Sequence, residues 1–215
     1  MSSHNSRQGK NFSVRPTPHR RFFLFVLVFC FFSLISQGAT SEPVPHNIAW
    51  AHAAASRATQ DFVQLRGTVT AFSGWKNSFF LEDASGAISV DRLENTPLQV
   101  GDEVQVGGRL KPGLFANIIL SEQLSVLGHP GLPTPPSATY EQLQTGEFDS
   151  KLIEFSGTVQ AARTADVWGR KMLLLDLQAG SSALSVYLLH YPDQDFTYLV
   201  DSQIRVTGVC GTIFN

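Results

Sequence analysis

Trp75-Lys76 and Trp168-Gly169-Arg170-Lys171 each set an indole beside one or two cations. Such a pairing could stack on the face of a sugar or a base, or hold an anion. Asp102-Glu103, Asp83 and Asp176 supply carboxylates, but in turn-forming surroundings. Gly101-Asp102 has the residue types that make a tight turn and cap local N–H groups, and Asp83-Ala84-Ser85-Gly86 reads as a hairpin turn with Asp in first place. Asp176 to Gly180 is expected to form the matching turn. None of these carboxylates has the neighbours of a calcium loop. The histidines are His4, His19, His46, His52, His129 and His190. They show no helical metal spacing and have no cysteine beside them, which argues against zinc. No Gly-x-Ser-x-Gly elbow and no Walker phosphate loop occurs. No catalytic residue, metal or cofactor is expected.

The elements that position these residues are legible through a repeat. Gly67-Thr68-Val69-Thr70-Ala71 returns as Gly157-Thr158-Val159-Gln160-Ala161, and Val104-Gln105-Val106-Gly107-Gly108 as Ile204-Arg205-Val206-Thr207-Gly208. Phe115-Ala116-Asn117 is echoed by Ile213-Phe214-Asn215. Val63, Leu65, Gly67 and Val69 alternate with polar residues, the period of a half-buried strand. Phe79-Phe80-Leu81 and Ile88 with Val90 flank a turn as a hairpin, Val104 and Val106 begin a fourth strand, and Ile118–Leu127 reads as a fifth. The second copy repeats the plan through Ile153–Val159, Met172–Leu175, Leu184–Leu188 and Ile204–Cys210, with no fifth strand. The expected fold is all-β: two tandem five-stranded OB-like barrels, the second lacking its last strand. An SH3-like barrel or a small sandwich is the other architecture the pattern fits. Asp201-Ser202-Gln203 replaces Gly101-Asp102-Glu103 in the second copy, an exchange that argues against a catalytic pair unless one copy alone is active. In an OB barrel the loop between strands one and two flanks the usual ligand face, which is where both tryptophan clusters fall. Trp75, Lys76, Trp168, Arg170 and Lys171 are therefore the candidate ligand-binding residues. The same residues fit a plainer role, with each indole packed over a barrel mouth and the cations solvated.

The N-terminus reads as a targeting segment. Residues 1–21 carry Arg7, Lys10, Arg15, Arg20 and Arg21 without an acid, and Phe22–Ile35 is apolar but for Ser33. A basic start, a short apolar core and a small-residue exit describe an export signal, and 14 positions fall short of the roughly 20 of a membrane span. Segment 1–39 is thus a signal peptide or an N-terminal anchor. Beyond it, acids outnumber Lys and Arg by seven, the wrong sign for a general nucleic-acid binder. Cys30 lies within the apolar run, which leaves Cys210 as a small core-facing residue. Residues 40–61 read as a linker or one short helix, 62–128 as the first OB-like domain, 129–150 as a Pro-rich linker with a short helix, and 151–215 as the second domain.

The stretches Leu65–Thr70, Phe80–Gly86, Val100–Gly108, Val126–Gly128 with Leu132-Pro133, Glu141–Leu143 through Gly146 to Asp149-Ser150, and Val206–Asn215, in this order, are similar to exported OB-like modules of bacterial membrane receptors. Such modules form the N-terminal sensor region of some transmembrane histidine kinases and diguanylate cyclases. The resemblance covers residues 62–215. It implies a non-catalytic periplasmic sensory or spacer module of a two-component-type receptor, with a membrane span and a kinase or cyclase following Asn215. The sequence holds no phosphoacceptor His motif, ATP-binding lobe or Gly-Gly-Asp-Glu-Phe signature, so no catalytic role is carried over. The expected location is the periplasm or inner membrane of a Gram-negative-type bacterium. The expected partners are a small ligand or a periplasmic protein, and the membrane if the N-terminal segment stays uncleaved. The alternative is a free-standing exported OB-fold protein that binds oligosaccharide or, against its charge, nucleic acid.

Overall fold

A computed structural model describes residues 46–54, 62–73, 77–93, 96–113, 115–167 and 169–211, all within one compact unit, Ser41–Asn215. The targeting segment lies outside the described residues, and no helix among these is long and apolar enough to cross a membrane. The fold is all-β, with two tandem OB-like sheets. The first is a closed barrel of β1 (Phe62–Phe72), β2 (Ser78–Asp83), β3 (Gly86–Arg92), β4 (Glu103–Pro112) and β5 (Asn117–Gly128). Its order is β1-β2-β3-β5-β4; β5 runs parallel to β3 and antiparallel to β4. The second is a four-stranded sheet, β8-β7-β6-β9, made of β6 (Leu152–Val167), β7 (Arg170–Ala179), β8 (Ser182–Leu188) and β9 (Gln203–Val209).

The repeated Gly-Thr-Val-x-Ala segment does the same work in both copies. A β-bulge follows Val69 in β1 and Val159 in β6, bending each long first strand where it must turn from one neighbour to the next. Gly67 lies against the backbone of Glu82, where a Cβ would stand 2.5 Å from the carbonyl oxygen. Gly157 lies against Gln178, where a Cβ would stand 2.9 Å from the carbonyl oxygen. The bulged valine then exchanges two hydrogen bonds with the turn before the fourth strand. Val69 N–H donates to Asp102 and Gly101 N–H donates to Val69; Val159 pairs with Ser202 and Asp201 in the same way. The turn residue is left-handed in both copies, Gly101 at φ +93° and Asp201 at φ +66°. In the first copy the Asp102 carboxylate also caps the turn, accepting the Gln99 N–H at 2.7 Å.

Each copy also begins with a helix. α1 (Ile48–Ala53) precedes β1 and α2 (Tyr140–Gln144) precedes β6. Asn47 and Thr139 cap them, and Thr139 forms a reciprocal capping box with Gln142. The residue before each cap donates its N–H to an equivalent strand carbonyl, His46 to Gln64 and Ala138 to Glu154. Helices this short are unstable alone and depend on packing. Ile48 and Ala51 are fully buried in the first core, and burial of Ile48 contributes about 2 kcal/mol. Asn117 at the start of β5 donates to the Ala51 carbonyl, and His52 Nε2 donates to the Ala87 carbonyl at 2.8 Å. Tyr140 and Leu143 pack against the second core. The described part of the 40–61 segment is therefore an integral part of the first barrel, not a tether.

Asp83 accepts from Ser85 and Gly86, as a turn-opening aspartate should, and also from the Ile48 N–H at 2.9 Å. Asp176 corrects the expectation. It lies inside β7, paired with Ser185 on β8, and its carboxylate is held by Arg163 and Ser185. The turn falls later, because β7 runs on to Ala179 and Gly180 takes the positive φ. The Pro-rich connector is fastened at both ends: Gly131 N–H donates to Gly101, and Glu154 N–H to Pro136. The two copies also meet directly, with Leu152 N–H donating to Glu82 Oε2 at 2.9 Å and the Phe115 ring against Gly146.

Candidate functional site

Trp75, Lys76 and Trp168 lie outside the described residues. Arg170 and Lys171 occupy the exposed start of β7, opposite Val167 and Asp166 on β6. Adjacent residues of a strand point to opposite faces, so Arg170 and Lys171 leave the strand on different sides of the sheet. Lys171 is the one that faces a groove.

That groove comes from two insertions. The same Val-to-Leu pairing spans 12 positions in the first copy (Val69 with Leu81) and 18 in the second (Val159 with Leu177). The extra residues continue the β6–β7 ladder out to Val167 and Arg170, whereas the first-copy ladder stops at Phe72 and Phe79. The stretch between the third and fourth strands is also longer in the second copy, residues 189–202 against 93–102. Both additions converge. Ala162, Thr164, Lys171 and Leu173 from the lengthened hairpin, with Tyr191, Asp193, Gln194, Asp195 and Phe196 from the lengthened loop, line a groove of about 270 Å³. Arg163 completes the lining but is engaged with Asp176.

Leu173, fully buried, makes an apolar floor. Tyr191 and Phe196 meet edge to face with ring centroids 6.1 Å apart. Asp195 accepts from the Thr197 N–H and hydroxyl, starting the 3-10 turn Thr197–Leu199. Chiefly the Thr197 hydroxyl holds its carboxyl below the usual range. Rings beside carboxylate, amide, hydroxyl and ammonium groups suit a polyhydroxylated ligand, whose C–H faces lie on rings while its hydroxyls find both donors and acceptors. Reasoning from residue types missed Tyr191, Asp193, Gln194, Asp195 and Phe196. Their signal was the repeat offset, 90 positions at Gly67 and 100 at Val104.

The equivalent end of the first barrel is closed by Arg92. Its guanidinium donates to the Thr96 carbonyl and to the Asn77 side chain, and its charge lies 5.7 Å from the Phe72 ring centroid and 6.0 Å from that of Phe79. Leu188 holds this place in the second copy, since Val90 and Val186 occupy matching registers.

Three groups outside the groove are shifted by contacts that hold the fold together or by burial. Asp102 is drawn below the usual carboxylate range first by the Gln99 N–H and then by His129, whose Nδ1 lies 2.8 Å from its carboxylate. Glu82 is pushed up by burial, which outweighs the Leu152 N–H it accepts. Burial also raises the Cys210 thiol, helped by nearby Asp149, which keeps it in its weakly nucleophilic form. Among the described residues no group of three or more His, Cys, Asp and Glu is placed to hold a metal ion.

No family model matches the chain. No curated protein matches it. Among solved structures, the hypothetical protein ygiW from E. coli is similar at 22% identity, over 39% of this chain and 90% of that one, with a TM-score of 0.34. A structure described as "Structural mimicry for functional antagonism" is similar at 12% identity, over 68% of this chain and 84% of that one, with a TM-score of 0.32.

Proposed function

We propose that this chain is a non-catalytic, exported binding module in which the first barrel is scaffold and the second takes the ligand. One observation carries the reading: both insertions that distinguish the second copy meet at a single groove. Within a repeat, residues added to one copy only are free to serve something other than the shared fold. The module is the sensory or spacer part of a membrane-bound receptor of the histidine kinase or diguanylate cyclase type, as the resemblance of residues 62–215 implies. Ligand in the groove would brace loop 189–202 against the β6–β7 hairpin and so alter the pose that the second barrel passes on.

The test is a blot of membrane, periplasmic and cytoplasmic fractions with an antibody to residues 62–200. A membrane band far heavier than 23.6 kDa is expected. A cytoplasmic band would sink the export reading. A periplasmic band slightly lighter than the full chain would favour the second reading, a free-standing oligosaccharide-binding protein, which the ring and carboxylate lining of the groove also suits. Titration calorimetry with neutral oligosaccharides, on the parent and on Phe196→Ala, then separates groove binding from none. Salt-sensitive retention of single-stranded DNA in a gel would overturn both readings.

A further inference from the structure

The charged side chains that line the groove are not all engaged. Arg163 is held by Asp176 on the neighbouring strand. Asp195 is occupied by the N–H and hydroxyl of Thr197. Lys171 and Asp193 are left. Among the described residues neither side chain makes an ion pair or a hydrogen bond, with the other or with any third residue. They also stand on the two different elements that form the groove, Lys171 on the lengthened β6–β7 hairpin and Asp193 on the lengthened loop 189–202. A ligand can engage these two groups without breaking a bond of the fold, whereas Arg163 would first have to leave Asp176.

Opposite charges held apart in one groove select against most ligands. A neutral molecule supplies a counter-charge to neither. An anion drawn to Lys171 is repelled by Asp193, and a cation drawn to Asp193 is repelled by Lys171. A molecule that carries both charges is attracted at both points. The rest of the lining sets its other end: the buried Leu173 floor and the rings of Tyr191 and Phe196 favour an apolar group. At about 270 Å³ the groove falls just under the roughly 300–1,000 Å³ of sites for drug-sized ligands, which suits a small molecule. We infer that the groove takes a zwitterion of amino-acid size, its ammonium on Asp193, its carboxylate on Lys171 and its apolar side chain over Leu173. The inference rests on the reading of the groove as the binding site and names the class of ligand. Such a ligand ties the hairpin to the loop through its own two charges.

The probes are L-phenylalanine and L-leucine, each with its amide, which lacks the carboxylate, and its N-acetyl form, which lacks the ammonium. All are titrated by calorimetry into the full chain near neutral pH. At least one parent amino acid is expected to bind, and its two single-charge forms about five- to ten-fold more weakly. Lys171→Gln should weaken the parent by the same factor and leave the amide unaffected. Asp193→Asn should weaken the parent and leave the N-acetyl form unaffected. Both side chains are exposed, so neither substitution disturbs the core. Failure of both amino acids to bind would overturn the inference. If neutral oligosaccharides then bind and Phe196→Ala abolishes it, the groove stands as a site and the zwitterion falls; if they also fail, the reading of the groove falls with it. Amide or N-acetyl forms that bind as tightly as their parents would overturn the inference too. So would amino-acid binding untouched by Lys171→Gln and Asp193→Asn, which would place the ligand elsewhere.

Discussion

Ile88, Val90, Val104 and Val106 are sealed inside the first copy, while Leu184, Val186, Ile204 and Val206 occupy the same registers of the second and remain only partly buried. The side chains are of the same kind and the strands point them the same way. What differs is the strand across from them. Alternation therefore decides which face a residue takes, and closure decides how much that placement is worth. Ile88→Ala should cost about 2–5 kcal/mol, the range for emptying a packed site. Leu184→Ala should cost less than about 2 kcal/mol, because its side chain already keeps part of its contact with water. Urea unfolding followed by hydrogen exchange in each barrel measures both, and equal losses would dissolve the contrast.

The paired glycines sharpen it further. A methyl at Gly67 runs into the Glu82 backbone inside a closed ring that cannot spread, so Gly67→Ala should lose about 3 kcal/mol. Gly157→Ala meets a slightly wider gap in a sheet that is not closed among the described residues, and should lose about 1 kcal/mol. Melting of the two variants compares them directly, and a larger loss at Gly157 would mean that the second sheet is the stiffer of the two.

The left-handed turn residue offers a reciprocal exchange. Gly101→Ala imposes a side chain at φ +93° and also crowds Gly131 and His129, for a loss of about 1–2 kcal/mol. Asp201→Gly relieves the same conformation in the second copy and should gain up to about 1 kcal/mol, less the added freedom of the unfolded chain. Thermal unfolding should move in opposite directions for the two variants; a shared direction would show that side-chain contacts, not backbone conformation, govern the turn.

The smallest effect is acid dependence. Asp102 has a depressed folded pKa, so its stabilisation is complete above its unfolded value near pH 4 and fades as pH falls through the lower folded value. Ser202 at the equivalent place cannot contribute this. Glu82 has the opposite sign: its raised folded pKa means that burying its charge costs stability above that pKa, and the cost disappears as pH falls below the unfolded value. Stability-against-pH curves below pH 5 should be flatter for Asp102→Asn and steeper for Glu82→Gln than for the parent. Unchanged curves for both would remove these groups from the account.

Much of this was legible in the sequence, and the misses have physical causes. Strand positions such as Val63, Leu65 and Val104 follow from alternation, because each strand has one face on a core. Asp176 was misplaced as a turn residue because Arg163, distant in sequence, is what satisfies it in mid-strand. The importance of α1 was hidden because six residues are too few to display a helical period. Arg92 gave no signal at all: its partners Asn77 and Thr96 are set by two loops that only the fold brings together. The groove left a numerical trace in the repeat offset, but residue types alone drew attention to the tryptophan clusters instead. Of those candidates Lys171 lines the groove and Arg170 does not.

The connector between the copies has a consequence for time. A proline-rich segment that is free at one end bends continuously, on the nanosecond scale of loops. Here Gly131 is bonded to the first barrel, while Pro136 and Ala138 are bonded to the second. Only a few residues are left to flex, and Leu152 with Glu82 adds a direct tie. Any change of pose between the barrels must first break named hydrogen bonds, as local unfolding does. Such motion is stepwise and rare, on the microsecond to second scale. A signal passed between the copies would therefore arrive as a switch between discrete poses, with a dwell time set by how long Gly131, Glu154 and Leu152 hold their partners.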